Sequence, residues 1–280
     1  MIHLTFDMEF YSPLRKDKIL NDGLLRVMDS MADDLAKVGA KATFFCTGEF
    51  AVEYPEFVSR LARSGHEVAN HTMNHAVYRS TAIQSYVKEI RDCDSVLSSI
   101  AGSKPVGFRA PNGSAPLALA EILQDLEYTY DSSMCRTYIP GWYEGGFCPV
   151  VPYFASDENL RRSDHGQSRF VEIPLGRFPL LPVPLGGFFL SVLPILSVAT
   201  LNRMCSDQRH YVMYMHPFDL MDNIPKGVYL WDRMRIRNRL GSMVGVILSR
   251  NPSLDMRLKI IAESLVEFGE KAYRIRLPTV

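Results

Sequence analysis

The 280-residue sequence predicts a single α/β domain built on parallel strands. Two observations carry this expectation. Short apolar or alternating segments of strand character take turns with longer segments of helical character through the first half of the chain. No internal repeat, low-complexity tract or linker marks a second domain, and this length suffices for one large core.

The elements follow in order. Residues 2–9 alternate, with Ile2, Leu4, Phe6 and Met8 on one face and His3, Thr5, Asp7 and Glu9 on the other, which is the period of a strand. A helix is predicted over 24–38, stopped by Gly39. Residues 42–46 form a short buried strand, and Pro55 opens a helix that closes at Gly65. Residues 67–69 read as a strand, 83–99 as a helix and 106–108 as a strand. A further helix covers 116–126, with Ser114 as its candidate cap. Residues 140–153 and 161–169 read as loops. Strands resume at 170–173 and 211–215, and an amphipathic helix is expected over about 254–270.

Lysine plus arginine and aspartate plus glutamate both number 31, so the formal net charge is zero. No electrostatic case exists for nucleic acid or an anionic membrane as the main partner. The five cysteines, Cys46, Cys93, Cys135, Cys148 and Cys205, are scattered without a CxxC pair, which fits reduced thiols better than a disulfide framework. The first strand begins at once, leaving no room for a signal peptide, so a cytoplasmic protein is expected. Residues 178–201 are uncharged and apolar, but Pro179, Pro182, Pro184, Gly186, Gly187 and Pro194 interrupt any continuous membrane helix. Burial, or a greasy wall beside the active site, is the expectation for this stretch. Contact with the inner membrane face, reached through a lipid-linked substrate, is the sharper alternative.

Two places concentrate chemistry. In His71-Thr72-Met73-Asn74-His75 the two imidazoles fall at i and i+4, on one side of a helical turn, where they can share a metal ion. Thr72 replaces the glutamate of a HExxH motif, so a carboxylate must come from elsewhere. Asp7 and Glu9, two apart on a strand, project from one face and can supply it; a solvated turn is the plain alternative. Two histidines and one carboxylate leave positions on a divalent ion open for water and substrate.

These segments belong to an ordered series. Thr5-Phe6-Asp7-Met8-Glu9 resembles a TFDD motif, Ala42-Thr43-Phe44-Phe45 with Gly48 resembles ATFFxxG, and residues 65–75 resemble GHE(I/V)xxH(S/T)xxH. Arg109-Ala110-Pro111-Asn112-Gly113 resembles RxPxG, Asp131-Ser132-Ser133 a DSS motif, and Met215-His216-Pro217 an LHP-like motif. The sequence thus resembles the polysaccharide deacetylases, the NodB-homology group of carbohydrate esterase family 4, across residues 5–217.

The resemblance implies a distorted (β/α)7 barrel with its site at the carboxyl ends of the strands. It also implies metal-dependent removal of an N-acetyl or N-formyl group from an amino sugar. Asp7 would be the general base, paired with Arg109, and His216 the general acid, oriented by Asp131. His71 and His75 would hold one divalent metal ion, zinc first, with cobalt, manganese or iron suiting the same ligands. Met8 stands where the family has its second aspartate, so Glu9 is assigned as the carboxylate ligand. Asn112 follows RAP where an aromatic is common, and is a candidate substrate contact. Trp142 and Tyr143 are candidates to stack on a sugar, or else are loop anchors.

The expected substrate is an N-acylated sugar, lipid- or nucleotide-linked, in cell-surface glycan assembly. The rival readings are an allantoinase-like amidase and a carbohydrate-binding pseudoenzyme. His3 and His66 are expected to be packed, and His165 and His210 solvated.

Overall fold

In the computed structural model of the protein, the described residues are 2–10, 18–78, 81–139, 143–144, 146–164, 168–179, 181, 183–192, 199–201, 203–204 and 209–220. In the C-terminal segment they are 259, 262–263 and 266–267. Residues 18–21, 138–139, 143–144, 188 and 191–192 are described by their backbone alone.

The chain alternates as its pattern predicts. Strand β1 (Ile2–Met8) is followed by helix α1 (Lys18–Lys37), β2 (Thr43–Cys46), α2 (Gly48–Glu53), α3 (Pro55–Arg63) and β3 (Glu67–Asn70). Then come α4 (Ile83–Ala101), β4 (Gly107–Phe108), α5 (Leu119–Asp125) and β5 (Tyr130–Asp131). The second half contributes β6 (Tyr138–Ile139), β7 (Tyr143–Glu144), β8 (Tyr153–Phe154), β9 (Val171–Glu172), α6 (Gly187–Val192) and β10 (Tyr211–Met215).

Local chemistry explains the ends. Gly39 and Gly65 both take a left-handed conformation just past α1 and α3. There Ala40 N–H reaches the Leu35 carbonyl and His66 N–H that of Leu61, closing each helix. Helix α2, absent from the predicted elements, is nucleated by Thr47, whose hydroxyl accepts the Phe50 N–H at 3.3 Å. Helix α5 begins at Leu119 rather than at 116, and its N-cap is Ala118, so Ser114 does not cap it.

Strands β10, β1, β2, β3, β4, β5 and β9 lie side by side in that order and all run parallel. Strand β8 adds to β9 antiparallel. The sheet closes on itself beyond β9: Leu175 bridges to both Cys135 and Val212, and the Gly176 N–H donates to the Val212 carbonyl at 2.8 Å. A Cβ on Gly176 would meet that same carbonyl oxygen at 2.8 Å, so a glycine suits the seam. The result is the seven-stranded distorted barrel that the motifs imply.

Both faces of β1 are buried. Ile2, Leu4, Phe6 and Met8 pack with α1, α2 and α3 in the largest apolar cluster. The barrel interior is partly polar, with the Glu67 carboxylate accepting from Tyr130 Oη at 2.9 Å and Thr43 Oγ1 at 2.7 Å. The helix expected in the C-terminal segment is seen at 259, 262–263 and 266–267, where Ala262 packs against the cluster of Phe45, Ala69 and Tyr130.

Within 178–201, the described Phe178, Leu185, Leu190 and Leu201 belong to the main core. Among the described residues no helix is long and apolar enough to cross a membrane. His210 is not simply solvated: its Nδ1 lies 2.8 Å from Nε2 of the buried His3. His165 lies outside the described residues.

Candidate active site

Parallel strands deliver their carboxyl ends to one rim of the barrel, and the motif residues follow those ends directly. Glu9 follows β1, His71 follows β3, Arg109 follows β4, Ser132 follows β5 and His216 follows β10. Five segments spread between residues 9 and 216 are thereby brought to one rim.

The expected ligand set converges. One atom from each of Glu9, His71 and His75 lies within 4.8 Å of the others. Glu9 Oε2 is 3.7 Å from His71 Nε2 and in closer contact with His75 Nε2. That oxygen is buried and has no donor in hydrogen-bonding geometry. The other nitrogen of His71, Nδ1, lies 2.7 Å from the Arg109 carbonyl, so it carries the proton and Nε2 turns its lone pair toward Glu9. An orphaned carboxylate oxygen facing an imidazole lone pair suits a divalent cation between them. Met8 is fully buried in the main core, which leaves Glu9 as the carboxylate that the first strand offers the site.

The pair of histidines does not sit on a helical turn. Residues 71–77 form an irregular loop in which Thr72 and His75 adopt φ of 64° and 54°. Local side-chain bonds outcompete the helix here. Thr72 N–H donates to Asn70 Oδ1 at 2.8 Å, and Ala76 N–H to Thr72 Oγ1 at 2.9 Å. From α4, the Glu89 carboxylate accepts both the backbone N–H and the side-chain amide of Asn74, at 2.8 and 2.9 Å, while the Glu89 carbonyl accepts Met73 N–H. The loop brings the two rings within 5.2 Å.

Arg109 and Asp7 pair as expected, Nη1 to Oδ1 at 2.6 Å. The guanidinium is held on every side. It donates to Thr5 Oγ1, to the Ser132 carbonyl and to Ser132 Oγ, and it lies 4.0 Å over the Phe45 ring.

His216 has a different partner from the one expected. Asp131 does not orient it; Asp219 does. His216 Nδ1 lies 3.2 Å from Asp219 Oδ2, and the His216 N–H donates to the same oxygen at 2.8 Å. Asp131 is occupied by Ser133, whose hydroxyl and backbone N–H both donate to it. The His216 ring stacks on Phe218 with centroids 4.5 Å apart, and its Nε2 lies 3.7 Å from Glu9 Oε1. Burial alone would lower its pKa, but the bond to Asp219 and the charges of Asp219, Glu9 and Asp7 lift it to about 9.

Asn112 is exposed on the rim, in a 3-10 turn (Pro111–Gly113), with φ of 55°. Trp142 lies outside the described residues. Tyr143 is described only by its backbone, in β7, which runs beside that turn. Three residues that support the site, Asp219, Glu89 and Glu172, lie outside the sequence motifs. The first had a signal, a carboxylate three residues after His216.

The fold and rim define an α/β-barrel protein with a candidate metal centre flanked by an Asp–Arg pair and a His–Asp pair. Residues 1–130 match the polysaccharide deacetylase family. The peptidoglycan-N-acetylmuramic acid deacetylase PdaC of Bacillus subtilis is 32% identical over 113 residues, which is 40% of this chain and 21% of that protein. A peptidoglycan-N-acetylglucosamine deacetylase of Bacillus cereus is 32% identical over 108 residues, 37% of this chain and 39% of that protein. The matched region therefore spans well under half the length of these relatives. A solved structure described as a polysaccharide deacetylase from Mycobacterium smegmatis superposes with a TM-score of 0.67 at 20% identity, covering 94% of this chain and 88% of that one. A CE4 family pseudoenzyme from Bacillus anthracis shares the fold at a TM-score of 0.53 and 15% identity, covering 94% of this chain and 65% of that one. The barrel itself does not decide activity.

Proposed function

We propose that this protein is a metal-dependent hydrolase that removes the N-acyl group of an amino sugar in a cell-surface glycan or its precursor. The observation that carries the reading is the convergence of Glu9, His71 and His75 between two charged pairs, Asp7–Arg109 and His216–Asp219. The two Bacillus relatives that are 32% identical are named as peptidoglycan deacetylases, which supports the same class of substrate.

Glu9, His71 and His75 would hold the ion, zinc first on ligand type. When bound, it supplies Lewis acidity, polarising an acyl carbonyl and acidifying water. Asp7 then serves as general base. Its Oδ1 is fixed by Arg109, leaving Oδ2 to take a proton as water attacks the amide carbon. Because the guanidinium bonds Asp7, Thr5 and Ser132 together, the base is oriented before substrate arrives. His216, kept cationic by Asp219, gives its proton to the sugar nitrogen as the C–N bond breaks. The products are a carboxylate and a free amine. Acid and base reach the same rim because β1 and β10 are neighbours in parallel register.

The test is release of acetate or formate from N-acylated hexosamine oligomers, lipid-linked sugars and nucleotide sugars, assayed on separate samples before and after chelation. Chelator-sensitive release from any of these classes supports the reading, and the class identifies the carrier. Failure on all three with metal bound overturns it. Release from allantoin-like cyclic amides instead would favour the amidase reading.

A further inference from the structure

Glu172 and Asp131 are register partners on the adjacent parallel strands β9 and β5, and both side chains are fully buried. Neither is used in the chemistry above. Two ionised carboxylates cannot sit side by side without water or a cation. Arg109, the rim guanidinium above the pair's turn, spends its bonds on Asp7, Thr5 and Ser132. Among the described residues, Tyr86, Cys148 and Tyr153 also interact with the pair, and all three are neutral near pH 7 because burial raises them.

The hydrogen bonds show where the proton belongs. Asp131 accepts the Ser133 hydroxyl at 2.6 Å and the Ser133 N–H at 3.2 Å, both of which favour its ionised form. Glu172 Oε1 accepts the Met134 N–H at 3.0 Å, but Glu172 Oε2 is buried and has no donor among the described residues. An oxygen in that position is satisfied only if it bears the hydrogen.

We infer that Glu172 is a neutral carboxylic acid that donates its hydrogen to Asp131, and that this pair positions the Ser132–Ser133 turn beneath Arg109. Burial first, then the Asp131 charge, pushes the Glu172 carboxyl well above the usual range, in keeping with this assignment. The turn connects the pair to the rim. Ser133 Oγ, bonded to Asp131, accepts the Ala110 N–H at 2.7 Å, and Ser132 accepts Arg109 through its carbonyl and hydroxyl. Glu172 is thus a positioning residue, connected to Asp7 through Asp131, the Ser132–Ser133 turn and Arg109. The assignment concerns the resting protein and stands whether or not the chain hydrolyses N-acyl sugars.

The experiment is infrared spectroscopy of the full chain at about pH 8, roughly four units above an ordinary glutamate. It compares wild type, wild type with isotopically labelled glutamate carboxyls, E172Q and E67Q. A protonated-carboxyl band that shifts on glutamate labelling, persists in E67Q and vanishes in E172Q is expected. Should E172Q fail to fold, the labelled wild type and E67Q still assign the band. Its absence from wild type, or its sensitivity to aspartate labelling alone, overturns the inference.

Stability gives a second reading. A folded carboxyl raised above its unfolded value stabilises below the unfolded pKa of about 4.3 and loses that contribution as pH rises. The stability of E172Q relative to wild type should therefore grow from about pH 5 to about pH 8, while E172L should be the less stable at every pH. Parallel pH curves for wild type and E172Q would contradict the assignment.

Discussion

His216 Nδ1 and Asp219 Oδ2 lie 3.2 Å apart, and the same carboxylate oxygen also caps the His216 backbone N–H at 2.8 Å. One oxygen thus fixes both the ring and the chain that carries it. Room for Asp219 depends on Gly187, where a Cβ would collide with the carboxylate.

This pairing sets a pH dependence. His216 acts only while protonated, and its pKa is lifted to about 9 chiefly against burial by Asp219. Activity should hold through neutral pH and fall on the alkaline side as the imidazolium is lost. In Asp219→Asn that alkaline limb should move down by roughly one to three pH units, since one close opposite charge is removed. The profile of kcat/KM against pH checks it, and an unmoved limb would assign the acid elsewhere.

Arg109→Lys keeps a positive charge but cannot make the forked bonds to Asp7, Thr5 and Ser132. Asp7 should lose its orientation, with kcat falling on the order of a hundredfold. KM should change less, because Arg109 is buried behind Asp7. Steady-state kinetics separate the two parameters.

Glu89 holds the loop between the two histidines through Asn74. Glu89→Ala should weaken metal affinity by roughly ten- to a hundredfold, as loss of an outer-shell support does. Competition with a fluorescent chelator measures this directly. Glu89→Gln, which retains one acceptor, should fall between the variant and wild type.

Gly176 seals the barrel against Val212. Gly176→Ala places a methyl group 2.8 Å from that carbonyl and should cost about 1–3 kcal/mol by urea unfolding. The metal-binding residues lie at the rim, so affinity should change little.

Much of this was legible in the sequence, for physical reasons that differ by residue. The strand Tyr211–Met215 and the helix expected over 83–99 follow from apolar period, and the helix runs on to Ala101, where Gly102 stops it in a left-handed conformation. Asp7, Glu9, His71, His75, Arg109 and His216 could be placed together because motif order fixes which strand end carries each. What failed was local geometry. The i, i+4 spacing of His71 and His75 suggests a helix, but Thr72 and Asn70 bond the backbone of an irregular loop instead. Asp131 could not be separated from Asp219 as the partner of His216, because motif order conveys rim position and not contact. Glu172 gave no signal, since a buried acid on a short strand is visible only once its register partner is known.

The central claim is that Glu9 replaces the missing aspartate of the first motif as a metal ligand beside His71 and His75. Metal content after zinc reconstitution and desalting, by elemental analysis, tests it in wild type, Glu9→Ala, His71→Ala and Asp7→Asn. Near-stoichiometric metal in wild type and Asp7→Asn, with loss in Glu9→Ala and His71→Ala, is the expected result. Metal retained in Glu9→Ala, or no metal in wild type, would contradict it.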